Sequence, residues 1–185
     1  RRWSFDRFSL VWNMITDPDQ NPATLEVATK ILADTKLPVV NKPSLMALTR
    51  RDRMAERLQG TPGVLVPKVL FVRNPSRERI AKAVDAAGFR FPAIVRYTGT
   101  QSGAVLGLFE RIDDLQPIFG DRRNEYFMTE YYDLRCDDGY YRKLRFMFIG
   151  DKIIYRQHII SDRWNIHGAD EQRVMAKDDG LRKES

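Results

Sequence analysis

The sequence predicts a mixed α/β (α+β) fold, and three patterns lead to this prediction. An apolar strand, a helix and a second apolar strand open the chain. Two helices with one apolar face each follow, and after residue 91 the pattern becomes mainly extended. The 185 residues, 43% of them apolar, are sufficient for a packed core. Elements that alternate first and separate later are typical of this class.

The strand–helix–strand pattern occupies the start of the chain. Residues 8–15 are apolar and end in an acidic, proline-containing turn. Asn21 suits the N-cap and Pro22 the first position of a helix, which is predicted over 22–34. Residues 38–41 are short and apolar, which is typical of a buried strand.

Two amphipathic helices enclose an edge strand in the next segment. Thr49 and Asp52 resemble a capping pair at the start of the first helix. The dipeptide Asn74-Pro75 is predicted to cap the second helix, which is predicted to end at Gly88. A strand over 64–72 lies between them and contains a proline, which is typical of a sheet edge.

The remaining elements are mainly strands. They are predicted over 92–97, 104–109, 126–132, 140–149 and 153–160, with a short helix over 111–119. A polar, glycine-containing loop at 98–103 joins the first two strands, and Gly150-Asp151 turns the last two into a hairpin. Residues 169–185 are a charged, weakly patterned tail.

Composition limits the class of protein. The chain has 31 Lys and Arg against 25 Asp and Glu, a formal charge of +6 that suits an anionic ligand or a nucleic-acid surface. A single cysteine, Cys136, forms no disulfide within the chain and indicates a reducing compartment, so a cytoplasmic protein is expected. No apolar run approaches the ~20 residues that span a bilayer, so we expect a soluble protein without membrane contact.

One loop has residue types that suit phosphate binding: Thr98, Gly99, Thr100, Gln101, Ser102 and Gly103. Its glycines and small hydroxyl residues allow backbone N–H groups to approach a phosphate closely. The loop matches neither the P-loop nor the dinucleotide-binding motif, and a plain hairpin loop explains the same residues.

Three cations in predicted strands are candidate ligands of an anion. Arg96 lies near the end of an otherwise apolar strand, where it must be paired, reach water or meet an anionic ligand. Lys143 and Arg145 share one face of a later strand. Two interpretations are open: the pair coordinates phosphates, or it lies on a solvated face of the sheet, which is the commoner case. No metal ligands are predicted, because His158 and His167 match no compact zinc pattern.

Four segments, taken in order, resemble the ATP-grasp superfamily. Residues 49–53 resemble the "RDK" helix start of glutathione synthetases, ribosomal-protein glutamate ligases and D-alanine:D-alanine ligases. Residues 88–96 resemble their "GFPxVVK" strand, which the glycine-rich loop follows. Residues 127–132 resemble the "xxxEYI" hinge and 143–151 the "DxRxxVVGD" hairpin. The segments span about positions 40–168, and their shared order is more specific than any one of them.

The resemblance implies an ATP-grasp-like fold in three parts. Residues 1–43 are expected to end a preceding α/β domain. Residues 44–124 are expected to form a small α+β nucleotide-binding lobe with the glycine-rich loop. Residues 125–185 are expected to begin a C-terminal antiparallel sheet lobe, which is truncated.

The resemblance also implies roles for single residues. Arg53 and Arg96 stand where the family usually has lysines that touch the α and β phosphates of ATP. The adenine hinge is implied at Glu130, Tyr131 and Tyr132. Arg145, the implied catalytic residue, would face the acyl-phosphate region, with Lys143 beside the nucleotide. Mg²⁺ is expected in the parent protein, but its usual ligands, a later aspartate and an "ExN" strand, match nothing after residue 168.

The implied reaction is ATP-dependent activation of a carboxylate as an acyl phosphate, followed by formation of an amide-type bond. Without metal ligands, the sequence predicts an ATP-binding fragment of a ligase-like protein that is inactive by itself. The implied partners are a nucleotide and a carboxylate or amine substrate.

Other hypotheses remain open. A closer similarity to the ATP-grasp regions of bacterial tetratricopeptide proteins implies a protein partner bound through attached repeats. The alternative function is a non-catalytic module that senses a nucleotide or binds a protein. A third hypothesis, weaker than nucleotide binding, is that the chain binds nucleic acid. The residues for this are in the basic helix: Arg50, Arg51, Arg53 and Arg57.

Overall fold

A computed structural model of the chain describes residues 5, 7–100, 104–168 and 174. The chain divides into two compact units, the first centred on residues 7–100 and 105–131 and the second on residues 132–168. None of the helices in the described part of the chain has the length and apolar character that crossing a bilayer requires.

The first unit begins with the predicted strand–helix–strand pattern. Strand β1 (Val11–Trp12) pairs in parallel with β2 (Val39–Val40), and α1 (Pro22–Ile31) connects them. The helix ends before the predicted residue 34. Asn21 occupies the N-cap position, but its side-chain amide donates to the Asp17 carbonyl at 3.4 Å and does not cap the helix.

Two short helical elements precede the basic helix. They are α2 (Pro43–Met46), which the sequence did not predict, and a 3₁₀ turn (Ala47–Thr49) that continues into α3 (Arg51–Leu58). The predicted capping pair does not form. The Thr49 hydroxyl donates to the Met46 carbonyl at 2.8 Å, and the Asp52 carboxylate binds the Arg50 guanidinium. The helix begins one residue later than a Thr49 cap would give, with Arg50 at the N-cap position. Asp52 therefore pairs with the Arg50 side chain, two residues before it.

A four-stranded antiparallel sheet forms the core of the first unit. Its strands are β3 (Val69–Arg73), β4 (Ala93–Tyr97), β5 (Gly107–Phe109) and β6 (Glu125–Glu130), in the spatial order β3-β6-β4-β5. The predicted edge position of β3 and the antiparallel pairing of β4 with β5 are confirmed. Strand β6 lies between β3 and β4, which makes β4 an interior strand.

One helix and one 3₁₀ segment cover an apolar face of this sheet. Helix α4 (Arg77–Ala87) and the 3₁₀ segment Ile112–Ile118 supply Ile80, Leu115 and Ile118 to the cluster that contains Val95 and Met128 of the sheet. The predicted cap at Asn74-Pro75 is wrong: the N-cap of α4 is Ser76, whose hydroxyl accepts from the Arg79 N–H at 3.2 Å, and the helix begins at Arg77. Gly88 ends α4 with φ +54°, as predicted.

The second unit contains the predicted long hairpin. Strand β7 (Tyr141–Ile149) pairs antiparallel with β8 (Lys152–Ser161). The register shifts between Arg145 and Phe146, where Arg156 of β8 has no directly opposite residue. Such a bulge changes which β8 side chains lie on each face beyond it.

Candidate anion-binding site

Three arginines of the first unit are linked through their charges to one another or to one acidic turn. Arg50 immediately precedes α3, Arg51 is its first residue, and Arg96 lies on β4. The turn is formed by residues 17–20, between β1 and α1. We call the arginines the arginine cluster.

Arg96 is a half-buried cation without an anionic partner among the described residues. Its Nε atom is buried and has no hydrogen-bond partner among the described residues, and it forms no ion pair with a carboxylate of those residues. Burial lowers the pKa of Arg96, and the positive charge of Arg51 lowers it further. The charged form is therefore held in surroundings that disfavour it, and an added anion would relieve both effects.

Arg50 differs from Arg96 because its guanidinium is already used. Its Nε and Nη2 atoms donate to the two carboxylate oxygens of Asp52 at 2.7 and 2.5 Å. Its Cζ atom lies 4.2 Å from the centroid of the Phe71 ring. Burial raises the pKa of Asp52, but the hydrogen bond and charge of Arg50 outweigh it, so that pKa lies below its ordinary value. Arg50 thus joins α3 to β3 and is not available to a ligand in this arrangement.

Arg53, for which the resemblance implies a phosphate contact, lies two residues beyond Arg51 in α3. Its guanidinium is exposed and pairs with Glu56 at 3.1 Å. The arginine whose charge acts on Arg96 is Arg51, not Arg53. The structure therefore brings Arg96 together with a different residue of the same helix.

The predicted glycine-rich loop is described as far as Thr100, and Gln101, Ser102 and Gly103 lie outside the described residues. Thr98 donates its backbone N–H to the Glu125 carbonyl at 2.9 Å, and the Thr100 hydroxyl donates to the Tyr97 carbonyl at 2.7 Å. These bonds join the start of the loop to the sheet.

Gly99 contacts the acidic turn closely. The Gln20 Nε2 atom donates to the Gly99 carbonyl at 2.5 Å. Gly99 has φ +66°, and a β carbon there would lie 2.7 Å from the Gln20 Cγ atom. Both the backbone conformation and the close approach require glycine.

Asp19 brings a negative charge into the arginine cluster. The Gly99 N–H donates to its carboxylate, while its Oδ1 atom is buried and has no hydrogen-bond partner among the described residues. Burial and the nearby Asp17 raise the pKa of Asp19, and the Gly99 hydrogen bond and the charges of Arg50 and Arg51 oppose this rise. The carboxylate is therefore only partly compensated.

The predicted hinge lies at the end of β6. Glu130 is 3% exposed, and its carboxylate accepts the backbone N–H groups of Lys68 at 3.1 Å and Arg90 at 2.9 Å. Tyr131 donates its N–H to the Pro92 carbonyl at 2.8 Å. The Glu130 side chain thus holds the segments before β3 and β4 against β6.

The other three predicted site residues belong to the second unit. Tyr132 and Lys143 are half-buried, and Arg145 is exposed. In the hairpin, Lys143 lies opposite Ile159 and Arg145 lies opposite Gln157, next to the bulge. Both residues lie in β7, two positions apart, so they share one face of the strand as predicted.

Two solved structures are similar to this chain in fold. One is D-alanine–D-alanine ligase from Helicobacter pylori, with 15% identity and a TM-score of 0.47 over 83% of this chain and 44% of that chain. The other is a RimK domain ATP-grasp protein from Sphaerobacter thermophilus, with 19% identity and a TM-score of 0.47 over 91% of this chain and 63% of that chain. The chain therefore spans less than two thirds of either protein.

No family model and no curated protein matches the chain. The second matched structure carries the ATP-grasp name that the sequence resemblance indicated. The mixed helix-and-strand fold with antiparallel sheets, predicted from the sequence, is confirmed. Neither match assigns a role to a residue of this chain.

Sequence reasoning missed Asp19 and Gln20 as parts of the site and gave Arg51 no role in binding the nucleotide. Gln20 and Gly99 are 79 positions apart, so no local pattern joins them. The available signal was the acidic turn that directly follows β1, because loops at strand ends often carry functional residues.

Proposed function

We propose that this chain binds ATP, with the phosphates at Arg96 and at the loop that begins at Thr98. The observation that carries the proposal is the half-buried Arg96 guanidinium, whose Nε atom has no partner among the described residues. An unsatisfied buried polar group costs about 1–3 kcal/mol, so folding tolerates it only where something compensates. A phosphate would supply the missing charge and hydrogen bonds, and arginine binds phosphate in a bidentate manner.

The loop supports the same ligand. Gly99 has the positive φ that exposes backbone N–H groups in anion-binding turns, and it has no β carbon to obstruct a close approach. Its N–H already binds one anion, the Asp19 carboxylate. The residues present thus suit a phosphate group.

For the whole protein we propose ATP-grasp ligase-like chemistry. Bound ATP supplies the phosphoryl group that activates a carboxylate, and the nucleophile is an amine. Arg96 offsets phosphate charge, and Glu130 keeps the hinge in place for the adenine. The further contacts that we propose, from the sequence resemblance, are Arg53, Tyr131, Tyr132, Lys143 and the catalytic Arg145.

A metal site does not fit the described residues. No group of three or more His, Cys, Asp or Glu side chains in the described part of the chain is placed to hold a metal ion.

Calorimetric titration with ATP and with adenosine tests the proposal. Arg96→Met should weaken ATP binding about tenfold or more, because a charge-assisted phosphate contact is lost, and should leave adenosine binding nearly unchanged. Arg79→Met is the matched control, since Arg79 is exposed in α4. Absence of ATP binding, or equal ATP affinity in wild type and Arg96→Met, would refute the proposal.

Turnover is a separate measurement. Phosphate release from bound ATP, with candidate amino acids supplied, would support ligase-like chemistry. A nucleotide that binds and is not consumed would instead support the non-catalytic module.

A further inference from the structure

The Asp19 carboxylate occupies a position that resembles that of a bound phosphate oxygen. It accepts the N–H of Gly99, the first glycine of the proposed phosphate loop, and the positive charges of Arg50 and Arg51 act on it. A carboxylate and a phosphate oxygen use the same partners, namely cationic side chains and backbone N–H groups. The Asp19 carboxylate and a phosphate oxygen therefore compete for the same N–H group and cations.

Asp19 is also a poor permanent occupant of this position. One of its oxygens is buried without a partner among the described residues, and a second carboxylate, Asp17, lies nearby. The Asp17 Oδ1 atom accepts the N–H groups of Asp19 at 2.9 Å and Gln20 at 3.1 Å, which holds the turn in its present shape. The turn therefore presents Asp19 to the loop at an electrostatic cost.

Arg51 is the residue that Asp19 and the ligand would share. Its charge acts on Asp19 and on Arg96, and it forms no ion pair with a carboxylate of the described residues. Arg50, by comparison, is held by Asp52 in a bidentate pair. Arg51 thus has no carboxylate of the described residues within ion-pair distance and can bind an anion of the ligand.

We infer that Asp19 is an internal counter-anion, which the phosphates of the ligand displace from the Gly99 N–H and from the field of the Arg51 charge. The inference rests on the proposed function in that the ligand carries phosphates. Because Gln20 also binds the Gly99 carbonyl, displacement includes movement of the turn at 17–20 away from the start of the loop. The turn therefore restrains binding in the wild type, and Arg51 is a binding residue that the sequence resemblance did not indicate.

The experiment measures the affinity of the full chain for ATP, inorganic tripolyphosphate and adenosine. Asp19→Asn keeps an oxygen acceptor and removes the charge, so it should bind ATP and tripolyphosphate about fivefold more tightly and adenosine unchanged. Asp85→Asn, which changes the net charge equally in the exposed part of α4, is the control. Asp19→Ala repeats the test with a side chain that has no acceptor.

A double-mutant cycle assigns the effect to Arg51. Arg51→Met should weaken binding of the phosphate ligands about fivefold, whereas Arg57→Met, in the same helix, should not. In the Arg51→Met background, Asp19→Asn should tighten binding of the phosphate ligands by less than half of the free energy that it contributes in the wild-type background. The inference is overturned if Asp19→Asn and Asp19→Ala leave phosphate binding unchanged or weaken it, or if the full gain persists without Arg51.

Failure of this inference differs from failure of the proposed function. If wild type binds ATP and Arg96→Met weakens it, the proposed function stands while the Asp19 variants decide the inference. If neither the wild type nor Asp19→Asn binds ATP, the proposed function fails and the inference fails with it.

Discussion

Replacing Arg96 by methionine is expected to stabilise the unliganded protein while it weakens ligand binding. Methionine keeps the unbranched stem of arginine within the sheet and deletes the guanidinium. The deleted group is half-buried, lacks a partner for its buried Nε among the described residues, and lies in the field of Arg51. Each of these features opposes folding when no anion is bound.

The magnitude follows from the environment of the guanidinium. A buried polar group without a partner costs about 1–3 kcal/mol. Because Arg96 is partly exposed, its removal should raise the free energy of unfolding by an amount near the lower end, about 1 kcal/mol. With a urea m-value of about 2 kcal/mol/M, this gain raises the denaturation midpoint by about 0.5 M. ATP should raise the midpoint of the wild type further and raise that of Arg96→Met by a smaller amount.

Urea denaturation followed by fluorescence, with and without ATP, measures both effects. Arg79→Met is again the matched control, because substitutions at exposed positions usually change stability by less than about 0.5 kcal/mol. A loss of 1 kcal/mol or more in unliganded Arg96→Met would refute the reasoning, since it would show that the guanidinium is already compensated in the free protein.

Three further predictions concern the loop, the hinge and the second unit. Gly99→Ala should weaken ATP binding about tenfold, measured by calorimetry, because alanine disfavours the φ of +66° and its β carbon obstructs the close approach of a phosphate to the backbone; unchanged affinity would contradict this. Glu130→Ala should lower the free energy of unfolding by about 2 kcal/mol through two unsatisfied amides, against almost no change for exposed Glu110→Ala. Arg142 lowers the pKa of Asp138 from 3.8 to about 2. The contribution of this pair to stability is therefore present above pH 4 and lost as the pH falls toward 2. An NMR titration of the Asp138 carboxyl with a midpoint near 3.8 would refute this prediction.

Many of the elements could be predicted because their signals are local. Gly88 ends α4 because glycine adopts the left-handed conformation at no steric cost, and Gly150 does the same in the β7–β8 turn with φ +61°. Helix ends and caps were less predictable. Asn21 and Thr49 have capping side chains, but each donates to a backbone carbonyl of the adjoining segment, since that competing bond forms only in the folded arrangement.

The site divides in the same way. Arg96 and Gly99 could be selected from the sequence, because a cation in an apolar strand and a glycine in a polar loop are unusual in themselves. Arg51 and Arg53 look alike in sequence. Only the packing of α3 places Arg51 in the field of Arg96 and leaves Arg53 with Glu56.

The sequence by itself determined the class of fold, the hairpins and the presence of a cation where an apolar strand meets a polar, glycine-containing loop. These properties follow from residue periodicity, turn chemistry and the cost of burying charge, all of which act over a few residues. The tertiary structure alone decided that β6 lies between β3 and β4, and that the turn at 17–20 meets Gly99. Sheet order and the approach of Asp19 to the loop depend on contacts between distant segments, whose free energy appears only when the whole unit packs.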